Sequence, residues 1–341
     1  MSSFIQRRIK IFMLCAFVLL GLTGCSNPRG TDGKTKADQI IASEQMTVEK
    51  GKINVSDISD EKLKKEYEKL DDTDTITIEP TSFKEAISVS WFDGLIVWPI
   101  AQLINVFASW TDAGIGIILA TLLIQILVFA FTHKSQMSTQ RMQEAQPEIE
   151  RIQSKYKGKD DERSRMMMAQ EVQKIYTKYD IHPFGSILVT FIQLPIMMGM
   201  YYATMRAAAV VYGTFLGMSL SETPIAAFTS FGSSNVQWGP MVVYVLMVVF
   251  QIVSFQLPKW LKKYDDKKNN VKQKKYLKQE SGGMASTMNT TMYFSTALIA
   301  VMYLNWPIAM SFYWLVSSVI RSIQQLILHF VIADKEKNKK K

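Results

Sequence analysis

A single amide interrupts a strongly apolar stretch of the chain, and its chemistry is the first to need an explanation. Gln125 lies within residues 122–131, LLIQILVFAF, where every other side chain is apolar. A glutamine both donates and accepts hydrogen bonds without carrying charge. In a helix surrounded by lipid, such an amide either joins its helix to the next apolar run, at 186–204, by a hydrogen bond or belongs to a functional site. Both interpretations of Gln125 stay open at this point.

A cysteine near the start of the chain has the surroundings of a lipid-attachment site. A basic start and an apolar run at 11–20 precede LTGC at 22–25, which is the layout of a secretory signal. LTGC resembles the lipobox of bacterial lipoproteins, where cleavage precedes the cysteine and its thiol is acylated. We therefore expect residues 1–24 to be a lipoprotein signal peptide and Cys25 to be the lipid attachment site. An uncleaved anchor with a chance cysteine is the alternative.

Other groups that could carry out bond chemistry are scattered along the chain. The three histidines, His133, His182 and His329, lie near the ends of apolar runs and lack the spacing of metal ligands. No glycine-rich phosphate loop is present. We therefore expect no enzyme activity, no catalytic residues, no metal and no cofactor.

The segments that must position these side chains are long and apolar. The chain of 341 residues is 48% hydrophobic but also 20% charged, with a net charge of +9, so its apolar and charged parts are segregated. Because a bilayer crossing needs about 20 mainly apolar residues, we predict five spans, at 115–131, 186–204, 241–257, 292–304 and 308–331. Backbone groups in hydrocarbon must be satisfied internally, which favours helices. The expected fold is an all-α integral membrane protein with five transmembrane helices in the mature chain.

Two different segments precede the first predicted span. Residues 25–87 are mostly polar and poor in aromatic side chains, so we expect an extracellular polar tether with a transient helix, in preference to a binding domain. Residues 89–110 combine tryptophans with aliphatic side chains and are interrupted by Pro99. This composition predicts a helix lying at the outer membrane interface.

Basic residues predict the orientation of the chain. Residues 134–178 contain ten Lys or Arg and residues 259–279 are also strongly basic, whereas 210–239 contain neither. The positive-inside rule then places the lipid-anchored N-terminus outside and the basic tail 333–341 in the cytoplasm. The lysine runs flank spans and lack interleaved aromatic residues, so they predict topology and lipid contacts and no nucleic-acid binding.

A helical hairpin is predicted between the first two spans, at about 134–182. Gly158 to Asp161 offer a turn between two series of apolar residues at helical spacing. The series are Ile149, Ile152 and Tyr156, and then Met168, Val172, Ile175 and Tyr179. The segment is otherwise highly charged, so we expect this hairpin to stand in the cytoplasm.

Three stretches together resemble the YidC/Oxa membrane-protein insertases in order and spacing. They are PEIERIQSKYKGKDDE, IYTKYDIHPFGSILVTFIQLPIMMGMYYATMRA and LNWPIAMSFYWLVSSVIRSIQQ. The resemblance covers about residues 91–332, within an expected insertase core at 88–332. With the lipobox, the chain is similar to the five-span lipoprotein branch found in Gram-positive-type bacteria.

The resemblance implies a substrate groove that is open to cytoplasm and lipid and closed outside. It places Gln193 and Trp314 on the groove wall, and it places Gln125 where the family usually has an arginine. Implied partners are nascent membrane proteins and membrane lipids, with the Sec translocon, the ribosome and the signal-recognition machinery as further candidates. A polar-groove transporter or channel is the alternative function, although we find no internal repeat of the kind that transporters show.

One arginine is a candidate to replace the charge that is missing at Gln125. Arg321 follows Trp314 by seven residues, almost two helical turns, so the two side chains share a helix face. We hypothesise that Arg321 supplies the positive charge of the groove. The alternative is an arginine at the inner leaflet that extends to lipid phosphates and marks topology.

Overall fold

Helices dominate the part of the chain that the computed structural model describes, residues 27–159, 161–182, 185–229, 238–268 and 284–339. In chain order they are α1 (Glu61–Tyr67), α2 (Phe83–Val89), α3 (Trp98–Trp110), α4 (Ala113–Lys155), α5 (Glu162–Lys178), α6 (Gly185–Arg206), α7 (Ala208–Val211), α8 (Pro224–Thr229), α9 (Trp238–Lys268), α10 (Met284–Tyr303) and α11 (Ile308–Lys339). Two short antiparallel pairs accompany them, β1 (Met46–Glu49) with β2 (Thr75–Ile78) and β3 (Thr214–Phe215) with β4 (Met218–Ser219).

Four of the five predicted spans fall within helices, and the fourth in the chain, 292–304, extends one residue beyond the end of α10. Among the described residues, three helices are long and apolar enough to cross a membrane by length and composition, at Ala113–Lys155, Trp238–Asp265 and Ile308–Val331. The other two predicted spans coincide with α6, of 22 residues, and α10, of 20 residues. An all-α membrane protein therefore fits the fold, with two small strand pairs added.

The chain forms two compact units. The first contains the described residues up to Leu123 together with Gln193–Tyr244 and Leu304–Tyr313. The second contains Ile124–Ile192, Val245–Tyr303 and the described residues from Trp314 onward. Helices α4, α6, α9 and α11 contribute residues to both.

Residues 27–81 fold into a small packed lobe in the first unit, so the prediction of an unpacked polar tether at 25–87 is wrong for them. The strand β2, TITI, alternates exposed and buried residues, and its two isoleucines enter an apolar core. That core consists of Ala37, Ile40, Ala42, Val48, Ile53, Ile58, Ile76, Ile78 and Ala208. Val211 and Tyr212 also pack against it. The apolar surface needed for folding is thus completed from a distant part of the sequence, which local composition does not reveal.

The lobe is joined to the end of α6 by backbone and side-chain hydrogen bonds. Ile41 forms a parallel bridge with Ala207, in which the Ile41 amide donates to Arg206 and the Ala208 amide donates to Ile41. Asn105 of α3 donates to the Ile41 carbonyl at 2.8 Å and accepts from the Ala209 amide at 3.0 Å. These bonds satisfy buried backbone groups that would otherwise destabilise the fold.

Residues 89–110, predicted as one interfacial helix interrupted at Pro99, are helical on both sides of this proline. A π-helical turn, Asp93–Val97, leads directly into α3, and Pro99 lies in the first turn of α3. A proline lacks the backbone N–H that an α-helix needs, and a π-type turn before it accommodates the missing bond. The proline therefore does not break this helix.

The helix α4 continues without interruption from the first predicted span into the first arm of the predicted hairpin. Its 43 residues reach Lys155, because no Gly or Pro occurs between Gly116 and Pro147. A turn containing Gly158, with φ of +78°, then leads to α5. In the second unit, Ala145, Ile149 and Ile181 form a small core against which Val172 and Ile175 of α5 pack.

Candidate functional site

Polar side chains from α4, α9 and α11 meet inside the second unit, among helices whose outer faces are apolar. We call this group the polar cluster. It consists of Gln125, Gln251, Trp314, Ser317, Ser318 and Arg321. All except Arg321 are buried, and Arg321 is partly buried.

Gln125 is held by a hydrogen bond between helices. Its side chain is 4% exposed, and its Nε2 donates to Oγ of Ser317 at 3.1 Å. One of the two interpretations of Gln125 expected a bond of this kind to the second predicted span. The bond exists, but its partner belongs to α11, the fifth predicted span, so that interpretation is wrong about the partner.

Gln251 is a member of the cluster that sequence reasoning missed. It lies in α9 and is 1% exposed, and its Oε1 accepts hydrogen bonds from Nε1 of Trp314 at 2.6 Å and from Oγ of Ser318 at 2.8 Å. The available signal was an amide within the third apolar run, MVVFQIVSFQL, which is the same signal that drew attention to Gln125. Because Ser317 and Ser318 are adjacent, α11 accepts a bond from α4 and donates one to α9 at the same level.

Trp314 and Arg321 lie together, as their seven-residue spacing predicts. The guanidinium carbon of Arg321 is 5.3 Å from the centroid of the Trp314 ring, within the range of a cation–π interaction. The ring of Tyr303 is 5.4 Å from the same indole. Trp314 therefore has its N–H bound by Gln251 and its ring in contact with a cation and an aromatic neighbour.

Gln193 belongs to the first unit and has a separate partner there. Its Nε2 donates to the hydroxyl of Tyr313 at 3.1 Å, which joins α6 to α11. Tyr313 is fully buried, and Gln193 is partly exposed.

The sequence around the cluster carries no negative charge. Residues 113–143, 223–264 and 281–333 contain no Asp or Glu, so the apolar runs that carry the cluster contribute no carboxylate. Within the described ranges, no three His, Cys, Asp or Glu side chains come together as a metal site requires. The cluster is therefore suited to hydrogen bonding and to attraction of an acceptor oxygen.

The outer faces of the same helices are apolar. Large aliphatic and aromatic side chains are exposed on all three, namely Ile126, Leu127 and Phe131 on α4, Val245, Val249 and Ile252 on α9, and Ile323, Ile327 and Phe330 on α11. Polar residues inside and apolar residues outside are the reverse of a soluble protein's arrangement and fit a lipid surrounding.

The two hairpin arms are joined by ion pairs outside the apolar runs. Nζ of Lys155 donates to Glu171 at 2.6 Å and Nζ of Lys178 donates to Glu148 at 2.8 Å. The hydrogen bond from Lys155, followed by one from Tyr156, lowers the pKa of Glu171. The bond to Glu148 raises the pKa of Lys178. The charged forms are therefore favoured in the folded hairpin.

Two predicted features lie wholly or partly outside the described residues. Cys25 and the signal at 1–24 precede residue 27, and most of the second basic segment falls at 269–283. The lipid attachment site thus stays a prediction.

Known proteins resemble this chain over most of its length. A protein-family model described as 60Kd inner membrane protein matches residues 103–336. The chain is 30% identical over 244 residues to Membrane protein insertase YidC 1 of Streptococcus pyogenes, covering 72% of this chain and 76% of that protein. It is 26% identical over 253 residues to Membrane protein insertase MisCA of Bacillus subtilis, covering 73% of this chain and 84% of that protein. It is also 29% identical over 242 residues to Membrane protein insertase YidC of Enterococcus faecalis, covering 71% of this chain and 76% of that protein. The range matched by the family model includes the whole polar cluster.

Proposed function

Because the chain belongs to the 60Kd inner membrane protein family, we infer that it is a membrane protein insertase, which helps integral membrane proteins enter and fold in the bilayer. It is a multi-pass protein of the cell membrane that acts on nascent membrane proteins. The resemblance of its sequence to the YidC/Oxa insertases supports the same activity.

The buried polar cluster is the structural observation on which the proposed mechanism depends. Polar side chains in membrane helices are costly to bury, and they commonly mark a substrate path. We propose that a hydrophilic segment of the substrate enters from the cytoplasm and replaces the bonds Gln125–Ser317 and Gln251–Ser318 with bonds of its own. The segment then keeps hydrogen-bond partners over part of the bilayer, which lowers the barrier to crossing.

The apolar part of the substrate provides the driving force in this proposal. It would move along the lipid-facing sides of α9 and α11, where large apolar side chains are exposed. Each square ångström of apolar surface removed from water contributes about 25 cal/mol. Insertion of a single helix therefore needs no nucleotide and no bond chemistry.

We propose that α4, α6, α9, α10 and α11 are the five spans. In this topology a lipid on Cys25 holds the N-terminus outside, and the hairpin formed by the end of α4 and by α5 stands in the cytoplasm. The distribution of Lys and Arg supports this orientation.

We further propose that Arg321 supplies the charge of the groove, with Gln125, Gln193 and Trp314 as polar contacts. The position of Arg321 over the Trp314 ring supports this role, because stacking on the ring holds the guanidinium within the cluster. An arginine that only extends to lipid phosphates is the competing interpretation.

Insertion by the purified full-length chain tests the proposed function. Proteoliposomes containing the chain should insert a small single-span protein, measured as a protease-protected fragment, well above protein-free liposomes. Flux of small ions and solutes should remain at the protein-free level. Solute flux without insertion would overturn the insertase function in favour of a transporter or channel.

A further inference from the structure

We propose that Gln251 is a specificity-determining residue of the insertion site, which positions Trp314 and donates its side-chain N–H to an acceptor oxygen on the hydrophilic segment of the substrate. This inference rests on the proposed insertase function. It gives α9 a polar role at the site, in addition to its apolar outer face.

The orientation of the Gln251 amide is determined by its partners. An indole N–H is a donor only, so the atom 2.6 Å from Nε1 of Trp314 must be the carbonyl oxygen of Gln251. Oγ of Ser318 donates to the same oxygen at 2.8 Å. Both lone pairs of Oε1 are therefore used, and the amide nitrogen points away from Trp314 and Ser318.

The amide nitrogen of Gln251 is left as a donor. It is buried, and it forms no hydrogen bond with any of the described residues. A buried donor without a partner is unfavourable, and a residue that retains one usually has a reason beyond packing. An aliphatic side chain would fill the same space in α9 without that penalty.

The surroundings of Gln251 determine which ligand chemistry fits. A free N–H requires an acceptor oxygen, such as a side-chain carboxylate or amide carbonyl. The carbonyl oxygen of Gln251 already accepts from Trp314 and Ser318, and the charge in its surroundings is the guanidinium of Arg321 over Trp314. Since residues 223–264 contain no Asp or Glu, a carboxylate of the substrate meets no repulsion from this part of α9.

Gln251 also fixes the group that holds Arg321. Trp314 has one polar atom, and Gln251 binds it. With that bond in place, the indole plane is held against Arg321 on the ring face and beside Tyr303. Loss of the bond would release the indole, so Gln251 acts on Arg321 through Trp314 as a positioning residue.

Two substitutions separate the positioning role from the donor role. Gln251→Glu keeps an oxygen for Trp314 and Ser318 but removes the N–H donor and adds a negative charge. Gln251→Met keeps the length of the side chain and removes both roles. Gln256→Glu is the matched control, because Gln256 lies on the same helix and donates to the hydroxyl of Tyr293 outside the cluster.

The assay uses full-length chains in proteoliposomes and one single-span substrate with three short tails, rich in Asp, in Asn or in Lys. Gln251→Glu should lower insertion of the Asp tail relative to the Lys tail by about tenfold, which corresponds to about 1.4 kcal/mol. Gln251→Met should lower insertion of all three tails, and Gln256→Glu should keep the wild-type ratios. A loss confined to the Asp tail identifies a carboxylate as the ligand, and a parallel loss of the Asn tail identifies any side-chain acceptor oxygen.

Two results would overturn the inference. An unchanged Asp-to-Lys ratio in Gln251→Glu, with wild-type insertion intact, removes the donor role while leaving the insertase function standing. Failure of the wild-type chain to insert any tail removes the insertase function and this inference with it. Unfolding temperatures of the variants in detergent show whether a uniform loss comes from misfolding.

Discussion

Asp93 and Arg206 form an ion pair that is buried on both sides. Nη1 of Arg206 donates to Oδ1 of Asp93. The side chain of Arg206 is 8% exposed and that of Asp93 is 2% exposed. Nε of Arg206 also donates to the Gln39 carbonyl at 2.8 Å, so the same guanidinium links the π-helical turn to the lobe.

Removal of one partner of this pair should destabilise the first unit strongly. Asp93→Ala leaves a buried guanidinium without its carboxylate, a change that typically costs about 3–5 kcal/mol. The exposed pair of Glu49 with Lys52 provides the control, since Glu49→Ala should cost at most about 1 kcal/mol. Denaturant unfolding and proteolysis of the lobe measure both. Similar losses for the two variants would contradict a structural role of the buried pair.

Arg321→Leu should impair insertion of substrates with acidic outer tails while leaving the amount of protein in the membrane unchanged. The reason is loss of the positive charge held over Trp314. Arg321→Lys keeps the charge but loses the planar stacking, and it should retain part of the activity. Quantitative insertion assays with acidic and neutral tails distinguish the variants. Equal insertion by Arg321→Leu and the wild type would favour an arginine that only contacts lipid phosphates.

Gln125 and Ser317 should be energetically coupled. Gln125→Leu and Ser317→Ala each remove one end of the bond between α4 and α11, which is 3.1 Å long. A double-mutant cycle is expected to give a coupling of about 0.6 kcal/mol, with about 1.7 kcal/mol as an upper value for membrane proteins. Unfolding in mixed micelles measures the free energies of unfolding of the wild type, the two single variants and the double variant. Additive losses would show that the bond does not join the helices under those conditions.

The hairpin should be most stable between roughly pH 5 and pH 10. The pKa of Glu171 is lowered by Lys155, so its stabilisation is present above the unfolded pKa of about 4.3 and is lost as pH falls through the folded value. The pKa of Lys178 is raised by Glu148, so its stabilisation is present below about 10.4 and is lost as pH rises through the folded value. Thermal unfolding at several pH values tests this pH range. Glu171→Gln should reduce the loss of stability that accompanies acidification below about pH 5. If the variant loses stability at low pH as the wild type does, the stabilising role of ionised Glu171 is contradicted.

Cys25 should be the only site of lipid attachment. Cys25→Ser is expected to abolish incorporation of labelled palmitate and to prevent signal cleavage, because the lipobox cysteine is the acylated residue in the lipoproteins that LTGC resembles. Cys15→Ser is the matched control and should leave labelling unchanged. Retained label in Cys25→Ser would show that another residue is acylated, and a wild-type chain that carries no label and keeps residues 1–24 would favour an uncleaved N-terminal anchor.

The sequence predicted the long helices better than the lobe, and the reason is physical. Helices such as α4 and α11 carry long apolar runs, so local composition is enough to indicate them. The core of the lobe brings Ile76 and Ile78 together with Ala208 in one cluster, and a local sequence pattern contains no information on that assembly. Prediction from composition therefore failed where the core is assembled from distant segments.

The candidate site was predictable only in part for a related reason. The seven-residue spacing of Trp314 and Arg321 predicted a shared face, and the structure places the cation over the indole. Gln125 stood out in its apolar run, but its partner depended on which helices pack together. Gln251 gives the same local signal, and its importance emerged only from its bonds to Trp314 and Ser318.

The position of Arg29 limits the distance between a lipid anchor at Cys25 and the folded part of the chain. Nη2 of Arg29 donates to the Ser221 carbonyl at 2.6 Å. Only three residues lie between Cys25 and Arg29, and a fully extended chain covers at most about 3.6 Å per residue. An acyl group on Cys25 would then keep the first unit close to the membrane surface. An unfolded tether at 25–87 would instead have let the first unit move away from that surface.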